Sequence, residues 1–153
     1  MNRIRIEDLS IGDWVCAEQL CGVGNEPRLT PPMRVVSLGS GAGGWVNLEI
    51  DPEQGDPFEF EPSEIRGVPI TVEVLEKNGF VDNGVGQHYL KCGNGITVRV
   101  GRSPLFHDDC WLVVTDKEIG DTISTTCVLF NAKHIHEIQR AMRLAKLGEG
   151  IEL

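Results

Sequence analysis

In the first 65 or so residues, apolar and polar positions alternate in short bursts, and a helical stripe appears only near the end of the chain. Trp45, Asn47 and Glu49 fall on one face of an extended segment, and Val46, Leu48 and Ile50 on the other. Phe58-Glu59-Phe60 alternates in the same way. Met33 to Leu38 reads as a further strand, with Val35 and Val36 on opposite faces. Gly12-Asp13 forms a tight turn that delivers Trp14 and Val15 into a strand. Pro27, Pro31 and Pro32 mark a loop, Asp51 to Pro57 an acidic loop, and Ser63 to Ile65 a single helical turn. Four or five short strands without a substantial helix predict a small β-barrel of the Src-homology-3-like kind over residues 1–66.

The second half, 67–153, opens on a punctuated stretch. Pro69 stiffens the approach, Thr71 can cap a helix start, and Asn78-Gly79 stops it, which predicts a short joining helix over 72–78. Gln87 to Lys91 and Ile96 to Val100 flank Cys92-Gly93-Asn94-Gly95, a hairpin signal. Cys110 to Thr115 and Thr122 to Phe130 read as strands around a turn at Lys117 to Asp121, for about four antiparallel strands. One long helix is expected over 131–147, capped by Asn131 and stopped by Gly148. Ile135, Ile138, Met142 and Ala145 share a stripe expected to face the strands of the second half, including Trp111, Val113 and Val128 or their neighbours, with Lys133, His136, Arg140 and Arg143 around the opposite face. The fold class is therefore α+β: a small barrel, then an antiparallel sheet packed on a C-terminal helix.

Charge narrows the partners. Net charge is −9, and residues 1–66 carry −7 of it, from 12 acids and 5 bases. Between Glu49 and Glu64 there are seven acids and no base. Such a surface repels phosphate, so nucleic acid is not an expected partner, unless the acidic run itself mimics nucleic acid on a basic groove. The five cysteines are odd in number, and the N-terminus has no apolar run of a signal peptide. Free thiols and a soluble, cytoplasmic protein are expected, with no membrane span.

Several residue groups could carry chemistry. Gly39-Ser40-Gly41-Ala42-Gly43-Gly44 has the spacing of a dinucleotide loop, but the next residues alternate like a strand where that loop needs a helix. It reads as a hairpin turn. Cys16-x4-Cys21, His107-x2-Cys110 and His134-x-His136 offer metal ligands without paired structural-zinc spacing. Two residues apart on a helix, His134 and His136 point about 200° apart and cannot share an ion. Cys92, in a glycine-rich turn beside Lys91, is the most accessible thiol, and His88, His107 or His136 could serve as its base in a small hydrolase. Asp108-Asp109 lacks a partner in sequence. No cofactor and no metal is expected. His136, Arg140 and Arg143 on the last helix, with Trp14 and Trp45 of the barrel, are the candidate binding residues.

Ile70-Thr71-Val72-Glu73-Val74-Leu75-Glu76-Lys77-Asn78-Gly79-Phe80 and His134 to Leu144, with Ile11 to Val15 and Pro69 to Thr71, resemble a family of uncharacterised small proteins from phages and mobile elements of gut Bacteroidetes. Its linker typically reads P-I/L-T-x-E-x-L-x-K-x-G-F and its terminal helix V-H-E-L-Q-x-A/L. Ile135, His136, Glu137, Ile138 and Gln139 follow the helix motif, with isoleucine for leucine at 138. The resemblance implies a phage or mobile-element context and a cytoplasmic host setting, and it brings no activity or catalytic residues. The expected function is a non-enzymatic protein-interaction module with a host or phage protein as partner. A small Cys/His hydrolase and an acidic nucleic-acid mimic are the alternatives.

Overall fold

The computed structural model describes residues 4–21, 26–39, 43–51, 53, 55–93, 95–102 and 110–144. The chain divides into two compact units, Met1–Val68 and Pro69–Leu153.

In the first unit one antiparallel sheet curls around its own core. Its strands are β1 (Trp14–Cys21), β2 (Glu26–Leu29), β3 (Met33–Gly39), β4 (Trp45–Glu49), β5 (Phe58–Phe60) and β6 (Ile65–Gly67). The pairing runs β2-β1-β3-β4-β5, and β6 adds to β1. Alternation makes the core: Val15, Ala17, Met33, Val35, Val46, Leu48, Phe60 and Ile65 cluster with Ile4 and Leu9. Sequence reading placed Pro27 in a loop; it lies in β2, opposite Leu20. Among the described residues β2 is an edge strand, where a missing N–H costs no ladder bond. Thr30 then extends the pairing with β1 by one residue, up to Pro31. Its N–H donates to Ala17 O at 2.8 Å, and its hydroxyl accepts from Ala17 N at 2.9 Å. The helical turn near Ser63 is a 3-10 turn at Pro62–Glu64, where the Glu64 carboxylate accepts the Glu61 N–H at 2.8 Å.

The second unit is a five-stranded antiparallel sheet in the order β11-β10-β9-β8-β7. The strands are β7 (Val81–Asp82), β8 (Gln87–Cys92), β9 (Ile96–Arg102), β10 (Trp111–Ile119) and β11 (Thr122–Ala132). The first helix, α1 (Val72–Lys77), begins as its caps dictate. Thr71 Oγ1 accepts the Val74 N–H at 3.3 Å, and Gly79 takes φ +78° just past the end.

The second helix, α2 (Ile135–Leu144), packs on β10 and β11 and starts four residues later than its sequence suggests. Asn131 is not its cap but a residue of β11 with φ 62°, a left-handed conformation that asparagine tolerates. Glu137 makes the start instead, its carboxylate accepting the N–H of Lys133 at 2.7 Å and of His134 at 2.9 Å. This is the rear half of a capping box, with histidine in the position Ser or Thr usually holds. Ile135, Ile138 and Met142 are buried as expected; Ala145 lies outside the described residues. Of Val128 and its neighbours, Leu129 is the one opposite buried Val113. Val128 pairs with Val114, one position off Val113, and is exposed.

Candidate functional site

The binding residues expected on α2 do not form one open basic face. Each helical residue turns about 100° from the last. His136, one step from fully buried Ile135, therefore falls inside a buried arc that also takes in Gln139 and Ala141. At 5 % exposure it is not on the outward face where Arg140 sits. Arg143 is half-buried. His134 precedes the helix, so the 200° argument fails, and its ring stacks on His136 with centroids 5.6 Å apart and planes 14° apart. Stacked rings still do not converge on an ion, and among the described residues no group of three or more His, Cys, Asp or Glu side chains is placed to hold a metal ion. Burial pushes the Glu137 carboxyl up. The His134 side chain at 3.5 Å, the Lys133 and His134 N–H groups and the charge of His136 outweigh it and hold the group at about 2.

The two tryptophans are engaged within their own unit. Trp14 pairs across strands with Arg34, whose guanidinium lies 5.6 Å from the ring centroid. Trp45 lies across the hairpin on Gly39, its cross-strand partner. The glycine run leads from β3 into β4, a strand where a dinucleotide loop needs a helix; its residues 40–42 lie outside the described residues.

Among the described residues, Cys16 and Cys92 are not activated as nucleophiles. Cys16, Cys92 and Cys110 are in no disulfide. Burial pushes Cys16 and Cys92 up, the opposite of thiolate activation. His88 is buried against Trp111, ring centroids 6.5 Å apart and planes 71° apart. Neither of its ring nitrogens has a hydrogen-bond partner among the described residues. His107, Asp108 and Asp109 lie outside the described residues.

The feature that sequence reading missed is the mouth of the curled sheet. Ile50 follows Val46 and Leu48 on the core face, and Phe58 pairs directly with Leu48. Leu48 is 0 % exposed, whereas Ile50 is 51 % and Phe58 53 % exposed. Both continue the core pattern beyond the point where the core is covered. They form a ridge shared by two hollows. One, about 210 Å³, is floored by Met33 and Phe60 and flanked by Pro31, Thr30 and Gln19. The other, about 120 Å³, is walled by Glu49, Asp51 and Asp56 beside Gly55. Small-molecule and cofactor sites usually need roughly 300–1,000 Å³; these hollows each suit one side chain. A third hollow, about 370 Å³, opens on the second unit's sheet between Thr97, Arg99, Asp116, Glu118 and Ile123. Its central charges are spent on each other: Asp116 accepts from Arg99 Nε at 2.7 Å and from Thr125 Oγ1 at 2.9 Å.

No family model, curated protein or solved structure matches this chain. Among the described residues no helix is long and apolar enough to cross a membrane.

Proposed function

We propose that the chain is a non-enzymatic protein-interaction module whose contact surface is the mouth of the first unit's sheet. One observation carries this reading: Ile50 and Phe58, core-pattern residues, stand half-exposed side by side over two hollows of side-chain size. Exposed apolar ridges with polar rims are where proteins meet partners. The Src-homology-3-like character of the first unit belongs to this proposal, as do its phage or mobile-element origin, its cytoplasmic setting and a host or phage protein as partner. The hydrolase alternative lacks an activated thiol in Cys16 or Cys92.

The test compares affinity capture from host lysate by the wild type, by Ile50→Ser/Phe58→Ser, and by a control carrying Ile119→Ser/Ile123→Ser, two exposed positions in the second unit. Loss of the captured protein with the mouth variant alone is expected. An unchanged capture by the mouth variant, or equal loss by the control, overturns the reading.

A further inference from the structure

We infer that the mouth receives an extended peptide segment carrying a lysine or arginine close to a large apolar side chain. This deepens, and rests on, the reading of the mouth as the contact surface. The two hollows adjoin, sharing Ile50 and Phe58, so one short segment can fill both. Their chemistry differs. The larger is floored by Met33 and Phe60 of the core and takes an apolar group. The smaller is lined by Glu49, Asp51 and Asp56, and among the described residues no lysine or arginine lines either hollow. Glu49 has Arg34 directly opposite it across β3 and β4, so a cation there meets chiefly Asp51 and Asp56, whereas an acidic segment or a phosphate backbone is repelled.

The segment is extended for two reasons. Neighbouring hollows on one ridge are matched by side chains two apart on a strand, which share a face. Phe58 also belongs to β5, which among the described residues pairs with β4 alone. Its outer backbone groups can therefore take an added strand.

The test is selection of a displayed library of random twelve-residue peptides on the full chain, followed by affinity measurement of synthetic winners. Winners are expected to carry Lys or Arg within two residues of Phe, Leu, Ile or Met. Replacing that cation by Gln should weaken binding about fivefold, as should Asp51→Asn/Asp56→Asn on the protein. Phe58→Ser should abolish binding while the circular dichroism spectrum is kept. Neutral or acidic winners that still depend on Phe58 overturn the charge assignment and leave the mouth as contact surface. Winners indifferent to both Ile50→Ser and Phe58→Ser overturn the inference and the reading beneath it. Cationic peptides that need no apolar residue and are lost wholly to salt also overturn it, and point to the charge-only mimic.

Discussion

Gly39→Ala isolates one contact of the first unit. A Cβ at Gly39 would lie 1.9 Å from Trp45 Cε2, 2.2 Å from Nε1 and 2.5 Å from Cδ2. Carbon atoms rest at about 3.5–4.0 Å, so the indole must shift by about 1.5–2 Å. Gly39 and Trp45 are register partners across β3 and β4, so the ring cannot leave without losing its packing on the strand. Overpacking of this kind costs about 1–3 kcal/mol. The backbone at Gly39 is not in the left-handed region, so alanine itself is not strained there. It also removes the glycine's entropic cost in a strand, about 0.5–1 kcal/mol. The net expectation is a loss of about 1–2 kcal/mol in the wild-type background. With Trp45→Val the clash disappears and the sign reverses, so that Gly39→Ala stabilises by up to about 1 kcal/mol. The four-variant cycle is read by urea denaturation followed by circular dichroism, with coupling of about 1.5–3 kcal/mol expected. Fluorescence sums Trp14 and Trp45 of the first unit with Trp111 of the second, so two transitions are fitted if the units unfold independently. An equal cost of Gly39→Ala in both backgrounds would refute the contact.

Glu137→Gln tests the start of α2. The folded carboxyl titrates at about 2 against an ordinary 4.5, so its contribution is present above pH 4.5 and is lost as pH falls toward 2. With 34 % of the side chain exposed, solvent screening reduces that contribution to about 1 kcal/mol at pH 7. The variant should lose that stability at neutral pH and show a flatter acid limb in urea titrations; an unchanged acid limb sinks the assignment. Ile138→Ala, at a fully buried position, should cost about 2–5 kcal/mol, and Arg140→Ala, on the exposed side, within about 0.5 kcal/mol; equal costs would refute the helix orientation. His88→Phe keeps a ring beside Trp111 and removes two buried nitrogens without partners, so it should stabilise by about 1 kcal/mol; destabilisation in thermal denaturation would mean a partner exists.

What was legible in sequence was local. Thr71, Asn78 and Gly79 defined α1 because capping is decided within one turn of chain. The alternation at Val46 and Leu48 defined β4 because period two survives any tertiary context. The start of α2 was not legible, because asparagine serves equally as a cap and as a left-handed residue inside an irregular strand. The usable signal was Glu137, three residues beyond His134, reaching back to the chain before it. Which of Val128 and its neighbours faces inward was not legible for a different reason. Register between β10 and β11 shifts twice, between Trp111 and Val113 and between Thr115 and Asp116, and a one-residue slip exchanges the faces of a strand. The stacking of His134 on His136 follows from the later helix start, so one boundary error removed a pair from view.

The mouth was hidden because alternation says which face a residue takes and not how far the cover extends. Val46, Leu48 and Ile50 follow one pattern, and so do Phe60 and Phe58. Only the end of the core separates the buried members from the exposed ones. That same geometry makes binding separable from folding. Full burial of such a side chain is worth about 1.5–3 kcal/mol, so a half-covered Ile50 or Phe58 contributes about half of that. Leu48, fully buried on the same face, should cost about 2–5 kcal/mol on truncation to alanine. Ile50→Ser and Phe58→Ser can therefore leave a folded unit with its ridge erased, whereas Leu48→Ala weakens the unit itself. If Leu48→Ala and Phe58→Ser lowered stability equally, the ridge would be ordinary core and the mouth would not be a surface.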